Sequence, residues 1–176
     1  ITVASVPVLA FIVGALAYLY MKVDRFADAE GHLRRATEAA PNDPRLRLRA
    51  AVLQERSGRY AEAVQSLRAF LKDFPDAAEA HLLLGHVYLL TGRPGEAEAP
   101  LRRAADLRPG DVKARYQLGQ ALLQAGRPSE AVAKLQEAVR LSPDYAEARY
   151  ALGQAYLRAG DAGKARREMD AFQEGH

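Results

Sequence analysis

The chain has 176 residues, 49% of them apolar, with 25 Lys and Arg set against 22 Asp and Glu. A net charge of +3 is too even for a nucleic-acid surface, which gathers its cations on one face. Without cysteine there are no disulfides and no thiolate metal sites, and few Val or Ile after residue 23 leave little material for strands.

Residues 1–21, ITVASVPVLAFIVGALAYLYM, contain no charged side chain. As a helix rising ~1.5 Å per residue, such a stretch reaches across the ~30 Å hydrocarbon core of a bilayer. Tyr18 and Tyr20 stand beside Lys22 and Arg25, in the manner of an interfacial aromatic belt. Ala15-Leu16-Ala17 has the small-x-small form of a cleavage site, so a secretory signal is the alternative. The expectation is a single-pass anchor in the cell membrane, touching lipid through residues 1–21. Lys22, Arg25, Arg34 and Arg35 weakly favour the inner side for the rest of the chain, and the side is left open. Because the first residue is Ile, the numbering is expected to start inside a longer chain.

After the turn Val23-Asp24-Arg25, a helix is predicted from Phe26 to Ala40, closed by Pro41-Asn42-Asp43-Pro44. Helices follow near Arg45–Ser57 and Tyr60–Asp73, and the same two-helix pattern returns from Ala78, Val112 and Ala146. The period is 34 residues: Gly58, Gly92, Gly126 and Gly160 obey it, as do Pro41, Pro75, Pro109 and Pro143, and Ala29, Ala63, Ala97, Ala131 and Ala165. Each Gly ends a first helix with a left-handed residue, and Pro94 and Pro128 open the next one. Pro100 falls inside a predicted helix, where a kink or a local compensation is expected.

Leu84, Gly85, Tyr88, Ala97, Leu101, Ala104 and Pro109 resemble the tetratricopeptide repeat. Leu118-Gly119, Leu122, Ala131, Leu135, Ala138 and Pro143 repeat the pattern, as do Leu152-Gly153, Tyr156, Ala165 and Met169. The unit at 44–77 departs from it at Ala50-Ala51 and Gln54 and keeps Gly58, Ala63, Leu67, Phe70 and Pro75. The usual Trp is absent; Val13, Arg47, His81, Arg115 and Arg149 take its place. The resemblance covers roughly 10–176 in one phase. It implies an all-α solenoid of helical hairpins forming a right-handed superhelix, with units at 10–43, 44–77, 78–111, 112–145 and 146–176. Residues 1–22 then form a transmembrane helix that doubles as the first helix of the first unit, and 23–176 form the solenoid. A pair of helices cannot bury its apolar face alone, so stability is shared between neighbours. The fifth unit lacks a polar capping helix, so that either the chain continues or a partner covers Phe172.

No catalytic constellation is legible. His32, His81, His86 and His176 lie in different units without metal-ligand spacing, and no nucleophile elbow, phosphate loop or dinucleotide fingerprint occurs. No enzymatic activity, cofactor or metal is expected. Family resemblance implies instead that the first helices line a concave groove. The groove-facing places implied for a protein ligand are Leu48 and Val52, Leu82 and His86, Tyr116 and Gln120, and Tyr150 and Gln154. Members that clamp a C-terminal carboxylate carry Lys and Asn at these places, so the clamp is not expected here. Tyr is a good anchor because it buries area and keeps a polar tip, and the amides beside it can bond a peptide backbone. The bland alternative is that Tyr116 and Tyr150 pack only on their own neighbours.

The resulting expectation is a membrane-anchored scaffold or assembly factor, an accessory subunit of a larger membrane complex with protein partners and no nucleic acid. The alternatives are a soluble adaptor or chaperone whose apolar N-terminal helix docks in a partner, and the regulatory arm of a larger enzyme.

Overall fold

The computed structural model describes residues 5–174, with side chains from 12 to 173. Among the described residues the regular structure is helical throughout: α1 (Ser5–Lys22), α2 (Phe26–Ala39), α3 (Pro44–Arg56), α4 (Tyr60–Asp73), α5 (Ala78–Leu90), α6 (Pro94–Leu107), α7 (Val112–Gln124), α8 (Pro128–Leu141), α9 (Ala146–Arg158) and α10 (Ala162–Glu174). The chain divides into two compact units, one reaching to Pro75 and the other starting at Asp76.

In both units the local chemistry sets the helix ends. Gly58, Gly92, Gly126 and Gly160 take φ of +77°, +69°, +74° and +86°, the left-handed conformation that turns the chain from a first helix into a second. One period before Gly58 stands Asp24, which adopts φ 56° without being glycine. Pro44, Pro94 and Pro128 open their helices, where a missing N–H costs nothing. Asp43 and Asp111 cap α3 and α7 by accepting from the backbone N–H groups of Arg45 and Ala114. The helix α6 runs through Pro100 as a single segment.

The first unit contains α1 to α4, with α1 packed along α2, α2 against α3, and α3 against α4. Val13, Ala17 and Met21 recur every four residues on α1 and close a core with Ala29, Leu33 and Ala36 of α2 and Leu46 and Leu53 of α3. Gly14 lets α1 approach α3: a Cβ there would stand 2.8 Å from both Leu46 Cδ2 and Arg49 Nη1.

These contacts correct the expected membrane anchor. No helix among the described residues is long and apolar enough to cross a membrane. Much of the apolar character near the C-terminal end of α1 serves the protein's own core, since Val13, Ala17 and Met21 are all buried there. Residues 1–4 of the expected lipid-facing stretch lie outside the described residues. The single-pass reading, with its lipid contact through 1–21, is therefore withdrawn.

The second unit contains α5 to α10. Within each hairpin the first helix supplies a glycine and the second an apolar side chain that fills the space. A Cβ on Gly119 would lie 2.5 Å from Leu135 Cγ, and one on Gly153 would lie 3.0 Å from Met169 Cγ. Gly85 is closed by Leu101 in the same way. Leu101 and Leu135 are completely buried, each worth about 1.5–3 kcal/mol relative to exposure.

Arginines at one matched place on three of the first helices make ion pairs across their hairpins. Arg47 reaches Asp73 at 2.7 Å, Arg115 reaches Glu137 at 3.1 Å, and Arg149 reaches Glu168 at 3.3 Å. A second set of arginines links consecutive second helices. Arg59 bonds Glu30 on α2 at 3.0 Å while standing beside Glu62 of α4, and Arg127 bonds Glu98 on α6 at 2.6 Å while bonding Glu130 of α8. Burial alone would raise the Glu98 carboxyl; the guanidinium groups of Arg127 and Arg102 outweigh it and hold the group below its usual value.

Candidate functional site

In the second unit the first helices of successive hairpins touch, α5 against α7 and α7 against α9. They therefore carry side chains at matched places along one row. Leu82 and His86 on α5, Tyr116 and Gln120 on α7, and Gln154 on α9 are half-buried, while Tyr150 is 46% exposed. In the first unit Leu48 and Val52 are half-buried on α3, and Val52 also packs on that unit's core.

The tyrosines are held by neighbours that the spacing of 34 does not point to. Tyr116 meets the edge of Tyr145 with ring centres 5.2 Å apart, and its hydroxyl accepts from Gln120 Nε2 at 2.6 Å. Burial, and then the charge of Glu147, raise the Tyr116 phenol above its usual value, so the hydroxyl keeps its proton. Tyr145 is raised likewise, first by burial and then by Glu147. Tyr150 lies 5.6 Å from Phe172 of α10. Both tyrosines are thus held by aromatic contacts, and the Gln120 amide is bonded to the Tyr116 hydroxyl.

Gln117 is the residue that sequence reasoning missed. Among the described residues it is the one polar side chain classed with the buried core, 3% exposed. Its Nε2 stands 3.0 Å from His86 Nδ1, which ties α7 to α5, and its Oε1 has no hydrogen-bond partner. The spacing held no signal for it, because Leu83 and Ala151 occupy the matched places on α5 and α9. The first unit carries a separate cavity of about 320 Å³, floored by Leu33, Ala50 and Leu53 and rimmed by Arg34 and Arg59. Among the described residues no group of His, Asp and Glu could hold a metal ion.

Tandem helical hairpins closed by small residues, with a row of tyrosines and amides on the first helices, define a helical-repeat protein. Models of the tetratricopeptide repeat match residues 15–69, 54–112 and 116–175, and a second model of that repeat matches 92–133. The chain belongs to the tetratricopeptide-repeat family. Among solved structures it is similar to MamA 41-end from Desulfovibrio magneticus RS-1, with TM-score 0.85 and 22% identity over 94% of this chain and 93% of that one. A crystal structure of MamA protein gives TM-score 0.81 and 22% identity over 95% and 91%. YrrB, described as a TPR protein with an unusual peptide-binding site, gives TM-score 0.77 and 23% identity over 93% and 84%. At these identities the likeness is one of fold. No curated protein sequence matches the chain.

Proposed function

We propose that the chain is a non-catalytic interaction scaffold that receives an extended peptide segment along α5, α7 and α9. Tyr116 and Tyr150 serve as aromatic anchors, Leu82 widens the apolar floor, and His86, Gln120 and Gln154 bond the peptide backbone. The observation that supports this reading is Tyr150, which leaves 46% of its surface open although Phe172 stands beside it to steady the ring. An exposed, pre-positioned tyrosine loses little side-chain freedom on binding, which is what makes it an anchor. The description of YrrB as having a peptide-binding site supports the same use of the fold. Leu48 and Val52 are assigned to α3 as a second, shorter contact.

The test is selection of binders from a displayed peptide library, followed by affinity measurement on the wild-type chain and on Tyr116→Ala, Tyr150→Ala. Selected peptides are expected to lose at least about tenfold in affinity to the double variant, the scale of truncating an interface anchor. Equal affinity for a double variant that melts like wild type would remove the groove from the account.

A further inference from the structure

The cavity of the first unit stands where the repeat departs from its own pattern. On α5, α7 and α9 two paired places hold Leu84 and Tyr88, Leu118 and Leu122, and Leu152 and Tyr156, all buried. On α3 the same places hold Ala50 and Gln54, both half-buried. An alanine where the other units carry leucine removes volume that close packing needs, and the space opens among residues of α2, α3 and α4. At about 320 Å³ it stands at the small end of the ~300–1,000 Å³ that ligand pockets span. Its floor is apolar, with Leu33 and Leu53, both buried, beside Ala50.

The charges at the rim are loosened at the same place. In the second unit Arg102 bonds Glu98 at 2.6 Å, and Arg127 holds Glu130 through two hydrogen bonds. Two periods earlier these pairs are Arg34 with Glu30, and Arg59 with Glu62. Arg34 makes no ion pair with Glu30 and no other polar contact among the described residues. The contact between Arg59 and Glu62 lengthens to 3.7 Å. Gln54 adds a third unmet group, because its buried Oε1 has no hydrogen-bond partner, a costly state for an acceptor. A free guanidinium, a weakly held carboxylate and an unmet acceptor thus line one apolar-floored cavity.

We propose that this cavity binds a free aliphatic α-amino acid of the size of leucine. Two arginines and two glutamates line it, so the lining is neutral as a whole and suits a ligand that carries both signs of charge. The carboxylate pairs with Arg34, the ammonium donates to Gln54 Oε1 and to Glu62, and the side chain covers Leu33, Ala50 and Leu53. The site belongs wholly to the first unit and does not rest on the peptide groove.

The test is titration calorimetry with L-leucine, N-acetyl-L-leucine and L-leucinamide on the wild-type chain, on Ala50→Leu and on Arg34→Gln. The first variant restores the residue that α5, α7 and α9 carry, and the second changes an exposed side chain. Thermal melts of both check folding. Leucine is expected to bind wild type with Kd below about 1 mM, and each analogue and each variant is expected to weaken binding at least about tenfold. Library-selected groove peptides are expected to bind Ala50→Leu as they bind wild type, which separates this site from the groove. Leucine binding weaker than about 1 mM overturns the proposal. So does N-acetyl-L-leucine that binds as well as leucine, which would make the ligand a simple carboxylate. Undiminished leucine binding to Arg34→Gln, or to an Ala50→Leu chain that melts like wild type, would put the amino acid elsewhere and overturns it as well.

Discussion

Two kinds of glycine meet different demands, and substitution separates them. Gly126 sits at φ +74° with open space around it, so Gly126→Ala suffers from backbone strain alone, about 1–2 kcal/mol. Gly119 is helical, and there an added methyl runs into Leu135 at 2.5 Å, so Gly119→Ala is expected to cost about 1–3 kcal/mol through overpacking. A second change distinguishes them: Gly119→Ala is partly rescued by Leu135→Ala, and Gly126→Ala is not. Chemical denaturation of the single and double variants measures this. Asp24 offers the converse. It holds φ 56° where its period partners are glycine, and its Oδ1 bonds Arg56 at 2.8 Å on the surface. Asp24→Gly relieves the strain and loses an exposed ion pair of small worth, so a gain of up to about 1 kcal/mol in unfolding free energy is expected. Gln117 is a third case at this scale. Its buried Oε1 has no partner, so Gln117→Leu is expected to change stability by less than about 1 kcal/mol, and peptide affinity falls because His86 loses its tie to α7.

At the scale of helices, the Arg127–Glu98 link between α8 and α6 makes stability depend on pH. Glu98 is held below its usual value of 4.5 in the folded chain, so its contribution is fully present above that value and is lost as pH falls through the lower, folded-state value. Urea unfolding between pH 7 and 3 is expected to show a smaller acid loss for Glu98→Gln than for wild type. An unchanged acid slope would mean that other carboxylates govern it. The helices themselves were largely legible in the chain, because Gly and Pro at fixed spacing mark ends by backbone chemistry that neighbours do not override. The fate of α1 was not. A count of apolar residues does not distinguish a face meant for lipid from one meant for protein, and Val13, Ala17 and Met21 are resolved only by their packing on α2 and α3. Pro100 was expected to kink or be compensated locally, and α6 continues through it as one helix.

For the whole molecule, the repeat explains why a row of tyrosines and amides can be built at all: matched places on successive first helices come into line through hairpin stacking. Which members of that row are open is a matter of partners outside the period. Tyr116 is half-buried because Tyr145, at a helix entry, turns its ring toward it, and Tyr150 is open although Phe172 lies near. Residue spacing carries no information on either ring. The groove account rests on this row. The most direct measurement is the change in backbone amide resonances when a library-selected peptide is titrated into the labelled chain. The account predicts shifts concentrated at Leu82, His86, Tyr116, Gln120, Tyr150 and Gln154 and at their helical neighbours. Shifts confined instead to α2 and α4, beside the cavity of the first unit, would contradict it.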